Sequence, residues 1–250
     1  MQNKYFEMNV VSYFEPIDSQ FSSESSKLPE LWSKNWQEKG WSTCMLNESY
    51  ARKHPSFQDI KFGNHESLLY SSKNSINYLR QCYMRWLAYS RYVLENGPTV
   101  WCDYDVYNKN LTPNLCKSIT NEQSFLFSRS CCCGLLSVKR AKDIVDTIQE
   151  CSKVKDIHDI YFSEESKRVF LHSINSDFFS DMHITNCSFR DVGDIDLLDI
   201  TYGFRKPECK LIESVFDDFN LFHIHGGVNF SIFDSENPTR TNAWHYLNKL

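Results

Sequence analysis

The longest regular run in this sequence is Ser75 to Glu95. Within it Ile76, Leu79, Tyr83, Trp86, Leu87, Ser90, Val93 and Leu94 recur at the 3.6-residue period of an amphipathic helix. Asn96-Gly97-Pro98 ends it, because glycine can take a left-handed cap and proline cannot continue a helix. Thr99 to Cys102 then reads as a short buried strand. A long helix feeding a short strand is the pattern of an α/β sheet.

The first fifty residues agree. Met8 to Phe14 carries the β-formers Val10, Val11, Tyr13 and Phe14 and is closed by Glu15-Pro16, a first strand. After a serine-rich loop, Ser19 to Ser26, Lys27-Leu28-Pro29 opens a helix with Leu31, Trp32 and Trp36 on its apolar side and Gly40 at its stop. Trp41 to Leu46 is a second strand, and strand, helix, strand implies a parallel start to the sheet. Glu48 to His65 reads as a short helix followed by loop.

Downstream, Asn108 to Thr120 is a polar loop with a helical turn, and Ser124 to Phe127 and Ser130 to Val138 are strands. Lys139 to Cys151 is an amphipathic helix, and Phe178 to Cys187 is a helix capped by Ser176 or Asp177. Asp191 to Asp199 is an acidic loop, while Leu211 to Val215 and Asn220 to His225 are late strands. No repeat, linker or low-complexity segment interrupts the 250 residues. The expectation is one α/β domain with a mixed, mostly parallel central sheet flanked by helices.

Val100-Trp101-Cys102-Asp103-Tyr104-Asp105-Val106-Tyr107 puts two carboxylates at the exit of the predicted inner strand. Alternate side chains of a strand share a face, so Asp103 and Asp105 are expected together with Tyr104 opposite. Hard divalent cations take one or two carboxylates plus the phosphates of a substrate. Open α/β sheets bind ligands at the carboxyl ends of their strands. A cation clamp for a diphosphate is therefore expected, against the plain alternative of a solvated turn.

Composition narrows the partners. A net charge of −5 gives no basic footprint for nucleic acid. Only 8 glycines are present, with no Gly-x-Gly-x-x-Gly and no Walker-type lysine loop, so phosphate binding through a glycine-rich cradle is excluded. The 10 cysteines include no Cys-x-x-Cys, and the adjacent Cys131, Cys132 and Cys133 suit tetrahedral zinc poorly. They read as small buried residues of a reducing compartment. The N-terminus is polar and no apolar run reaches membrane-spanning length, which predicts a soluble, cytoplasmic protein without an integral membrane segment.

Strand, helix, strand, long helix and then Trp101-Cys102-Asp103-Tyr104-Asp105-Val106 together resemble the GT-A glycosyltransferases, over about residues 8 to 150. The resemblance implies one GT-A-like, Rossmann-like domain, with a nucleotide-sugar-binding part at about 8–107 and an acceptor-side part at about 108–250. It implies Mn²⁺ or Mg²⁺ on the diphosphate of a nucleotide sugar, with Asp105 touching the metal and Asp103 acting directly or through ribose and water. Arg85, in Cys82-Tyr83-Met84-Arg85-Trp86-Leu87-Ala88, is similar to the arginine that several of these families carry on the helix before the Asp-x-Asp strand, with Arg91 as its alternative. Leu221-Phe222-His223-Ile224-His225-Gly226-Gly227 resembles the late strand that completes the metal site with a histidine. His223 fits His-x-x-Gly spacing with Gly226, and His225 competes from the same face. A histidine ligand would favour Mn²⁺. Tyr13 and Phe14 stand where relatives hold the nucleotide base.

Ser180-Asp181-Met182 is similar to acidic segments that face the acceptor, which makes Asp181 a candidate general base and Asp177 the runner-up. Either residue also suits a helix cap. The pair in Asp194-Ile195-Asp196 reads as a solvated loop. The leading function is transfer of a sugar, hexosyl or pentosyl, from a UDP- or GDP-sugar to a hydroxyl of a glycan or similar acceptor. The alternatives are a metal-dependent hydrolase using His223, His225 and the aspartates, and a non-catalytic sugar- or protein-binding module.

Overall fold

The structure, a computed structural model, describes residues 8–17, 25–60, 75–118, 125–126, 132–153, 181, 184–185, 197–199, 220–224 and 239–250. In chain order its elements are β1 (Asn9–Tyr13), α1 (Leu28–Glu38), β2 (Ser42–Leu46), α2 (Glu48–Ala51), α3 (Ile76–Asn96), β3 (Thr99–Cys102) and β4 (Val106–Asn108). There follow α4 (Pro113–Ser118), β5 (Phe125–Leu126), β6 (Cys133–Leu136), α5 (Val138–Cys151), β7 (Leu197–Asp199), β8 (Leu221–His223) and α6 (Arg240–Leu247). Contacts divide the chain into two compact units, one of 1–45, 99–135 and 193–250, the other of 46–98 and 136–192. Among the described residues no helix is long and apolar enough to cross a membrane.

A five-stranded sheet in the order β2-β1-β3-β6-β5 puts β3 at its centre. β1 and β3 run parallel, with Val10 opposite Val100 and Val11 opposite Trp101, and β5 and β6 are antiparallel. The sheet is thus mixed and the class is α/β, as expected. β3 is buried at every position, so its continuous apolar run is that of an inner strand. A second, three-stranded sheet has the order β4-β8-β7.

The core of the first unit is built on α1. Trp32 and Trp36, four apart on one helical face, are fully buried and pack with Trp41, Val10, Val100, Val106, Phe222 and Trp244. Removing an indole of roughly 200 Å² from water is worth on the order of 5 kcal/mol, an upper figure. Two of these indoles are satisfied by backbone: Trp36 Nε1 donates to Val106 O at 3.1 Å and Trp41 Nε1 to Leu111 O at 2.7 Å. Asn35 does the same for β4, donating to Asn108 O at 3.0 Å and accepting from Asn108 N at 2.7 Å. Gly40 stops α1 with φ at +85°, and Gly97 stops α3 with φ at +86°, conformations that cost a β-carbon energy.

In the second unit α3 packs on α2 and α5. Ser75 caps α3 by accepting from Tyr78 N at 3.2 Å. Met84, Ala88 and Tyr89 are buried along with the predicted stripe, so the middle of the helix is enclosed on more than one side. Ile76 and Leu94, expected on the apolar face, are exposed because they sit in the terminal turns. Asn47 caps α2, and Glu48 gathers Arg52, Arg80 and Gln81.

His54 is a buried titratable group of this unit. Its Nδ1 accepts from Ser56 N at 3.0 Å, so Nε2 carries the proton and donates to Ser90 Oγ at 3.2 Å. Burial, reinforced by the Arg91 charge, lowers its pKa from 6.5 to about 4. The unfolded chain therefore takes up this proton first as pH falls. Stability present above pH 6.5 is lost progressively towards pH 4, by about 2–3 kcal/mol. Urea midpoints of wild type and His54→Gln at pH 7 and pH 4.5 test this: the variant should show the shallower acid loss.

Three features depart from expectation. β4 occupies residues expected to lead into a loop, β7 ends the stretch expected to be an acidic loop, and α6 had no counterpart in the sequence reading. β4 and β7 are three residues long, too short for a two-residue period to register, and both are defined by pairing with β8. The strand expected at 211–215, and all but Asp181, Ile184 and Thr185 of the helix expected at 178–187, lie outside the described residues.

Candidate metal centre

β3 ends at Cys102, and the Asp-x-Asp is a turn rather than a strand. Asp103 N donates to Cys132 O at 2.6 Å, and Val106 N returns to Asp103 O at 3.1 Å. The chain then reverses into β4, which pairs antiparallel with β8 so that Val106 lies opposite His223. Ile224 N donates to Asp105 O at 2.8 Å and locks the register. Expecting the two aspartates on one face by strand alternation was therefore the wrong geometry. The turn still brings them together: Asp103, Asp105 and His223 each offer a ligand atom, all within 4.8 Å of one another.

Asp105 is the hub. One oxygen, Oδ1, lies 3.4 Å from His223 Nε2, and the other, Oδ2, lies 3.7 Å from Arg240 Nη1. Asp105 and His223 are buried, at 7% and 4% exposure, while Asp103 is half-buried. Tyr104 packs edge-on to Phe14, with ring centroids 5.1 Å apart, and its phenol contacts Arg240. Burial and the Asp105 charge push the Tyr104 hydroxyl up to about 12, so it stays protonated.

These residues fit a divalent cation. Metal–ligand bonds of about 2.0–2.2 Å place neighbouring ligand atoms roughly 3–3.5 Å apart, and the His223–Asp105 separation of 3.4 Å falls there. Two carboxylates with one imidazole form a mixed oxygen and nitrogen set that suits Mn²⁺ better than Mg²⁺ or Ca²⁺. The place is also apt, at the carboxyl end of the central strand.

No protein-family model and no curated protein matches the chain. Solved structures that the chain resembles in fold include glycosyltransferases of the GT-A type. Mouse xyloside xylosyltransferase 1, apo form, matches at 8% identity and TM-score 0.46, over 86% of this chain and 97% of that one. A glycosyltransferase involved in glycosylation of the major capsid of PBCV-1 matches at 12% identity and TM-score 0.41, over 88% and 94%. The galactosyltransferase LgtC, in complex with donor and acceptor sugar analogues, matches at 11% identity and TM-score 0.45, over 97% and 96%.

Of the other predicted site residues, Tyr13 is buried at the end of β1 and Phe14 is half-buried beside Tyr104. Arg85 and Asp181 belong to the second unit and pair with each other. Arg85 Nε and Nη2 lie 2.8 and 2.7 Å from Asp181 Oδ2, and Trp86 Nε1 donates to the same oxygen at 2.6 Å. Arg91, the alternative to Arg85, pairs with Glu95 and covers the Tyr50 ring. His225, Asp177, Asp194 and Asp196 lie outside the described residues.

Cys102, Cys132 and Cys133 are buried behind the turn, and burial pushes the Cys102 and Cys133 thiols up, which makes them inert packing groups. The residue that sequence reasoning missed is Arg240. Pro238-Thr239 followed by Ala243, Trp244 and Leu247 was the available signal, a cap ahead of helical apolar spacing. Thr239 does cap α6, accepting from Asn242 N at 3.2 Å.

Proposed function

We propose that this chain transfers a sugar from a nucleotide-diphosphate donor to a hydroxyl acceptor, assisted by a divalent cation, with Mn²⁺ preferred. The observation that carries the proposal is the Asp103, Asp105 and His223 cluster at the exit of the central strand. When bound, the cation supplies positive charge against the leaving diphosphate.

Asp105 and His223 would hold the ion directly, with Asp103 holding it directly or through ribose and water. The backbones of Asp105 and His223 are fixed by the β4–β8 pairing and its Ile224 N to Asp105 O bond, and that of Asp103 by its bond to Cys132 O, so the ligands start near their working positions. Burial around Asp105 and His223 excludes water and strengthens every charge interaction there. Phe14 and Tyr104 offer the aromatic surface for the base, whereas Tyr13 is committed to the core. Asp181, the first candidate for the base that takes the acceptor's proton, is held by Arg85 and Trp86, and Asp177 is the runner-up.

Thermal unfolding with Mn²⁺ and UDP or GDP tests the reading. Together they should raise the melting temperature by about 5 °C or more at saturating ligand, and EDTA should abolish the rise. A screen of nucleotide sugars for Mn²⁺-dependent release of free nucleotide should then identify the donor. No rise with either nucleotide would remove the main support, and turnover of a simple phosphodiester would favour the hydrolase alternative. The same cluster could hold a metal-activated water.

A further inference from the structure

We propose that Arg240 is a built-in competitor of the cation: its guanidinium holds Asp105 in the metal-free chain, and its charge sets how tightly metal binds. This rests on the reading of Asp103, Asp105 and His223 as a cation site. Arg240 opens α6, where the helix dipole disfavours positive charge. The compensating charge is Asp105, whose Oδ2 faces Arg240 Nη1 at 3.7 Å while Oδ1 faces His223. A metal ion drawn to Asp105 therefore meets a cation already on the same carboxylate. With Asp105 only 7% exposed, solvent and salt screen that conflict weakly.

The rest of α6 cannot withdraw to relieve it. Ala243, Trp244 and Leu247 are buried in the core, and the Tyr107 hydroxyl donates to Leu247 O at 3.4 Å. Only the Arg240 side chain can give way, and the Tyr104 phenol is a second anchor within its reach. Arginine and metal are thus coupled antagonists on one carboxylate, each weakening the other's hold.

The test is titration of Mn²⁺ alone into the metal-free full chain, read as free-ion signal by electron paramagnetic resonance or as heat by calorimetry. Arg240→Gln should tighten Mn²⁺ about tenfold, and Arg240→Lys, which keeps the charge, should stay within about twofold of wild type. Arg240→Met serves as a second neutral variant if Arg240→Gln melts abnormally. Unchanged or weaker Mn²⁺ binding in the neutral variants, with binding still abolished by Asp105→Asn, would overturn the competitor role and leave the cation site standing. Equal binding, or none, in wild type and Asp105→Asn would remove the cation site and the competitor role together.

Discussion

Asp105→Asn is expected to bind Mn²⁺ at least about a hundredfold more weakly than wild type, because it removes a full charge from the ligand set in a poorly screened site. Nucleotide release from a donor sugar should fall with it, to background. The fold should survive. The backbone of the turn is held by Asp103 N to Cys132 O, Val106 N to Asp103 O and Ile224 N to Asp105 O, none of which uses the Asp105 side chain. Asparagine keeps the shape and one acceptor oxygen. The loss is the compensation of Arg240, which is 23% exposed at its side chain and can turn towards solvent or Tyr104. A metal-free melting temperature within about 3 °C of wild type is expected, equivalent to about 1 kcal/mol. Calorimetric Mn²⁺ titration beside a thermal melt separates the outcomes. Wild-type affinity in Asp105→Asn would mean the cluster is not a metal site, whatever the activity.

How much of this was legible in the sequence depended on whether the signal was local. α1, α3, α5 and β3 each span enough residues for a period or a continuous apolar run to show, and Gly40 and Gly97 mark the stops of α1 and α3 by conformations other residues avoid. Asp103 and Asp105 were nameable from the spacing of the Asp-x-Asp, and His223 only from the resemblance of its late motif to the strand that completes such a site. Their meeting was not legible as physics, since it depends on a reversal at Tyr104 and on β4 pairing with β8, a strand distant in the chain. A turn can bring carboxylates together as well as strand alternation can, so the pattern alone does not choose between them. Arg240 was hidden for a related reason. Its helix is eight residues long and half polar, and its role comes from a carboxylate distant in the chain. Arg85 shows the converse: a local motif placed it on the expected helix, but its ion pair with Asp181 is a long-range fact.

That pair gives the second large expected effect. Asp181 is 1% exposed at its side chain, Arg85 15%, and three donors from Arg85 and Trp86 meet at Asp181 Oδ2. Burial, reinforced by the Asp181 charge, pushes the Tyr83 hydroxyl well above its usual value and keeps it protonated. Asp181→Asn leaves Arg85 with no opposing charge from Asp181 in a largely buried place, which should cost about 2–4 kcal/mol of stability. Pairing it with Arg85→Met removes the stranded charge and should recover part of that loss, an interaction visible only in the double variant. An anchoring carboxylate predicts this stability pattern in urea melts. A general base predicts another: Asp181→Asn would melt like wild type while turnover of the donor and acceptor fell by about 10²–10⁴. The three donors on Oδ2 favour the first pattern, with Asp181 fixing Arg85 and Trp86 on α3. If the second is found, the pairing is a resting state that the acceptor must break, and Asp181 returns as the proton acceptor.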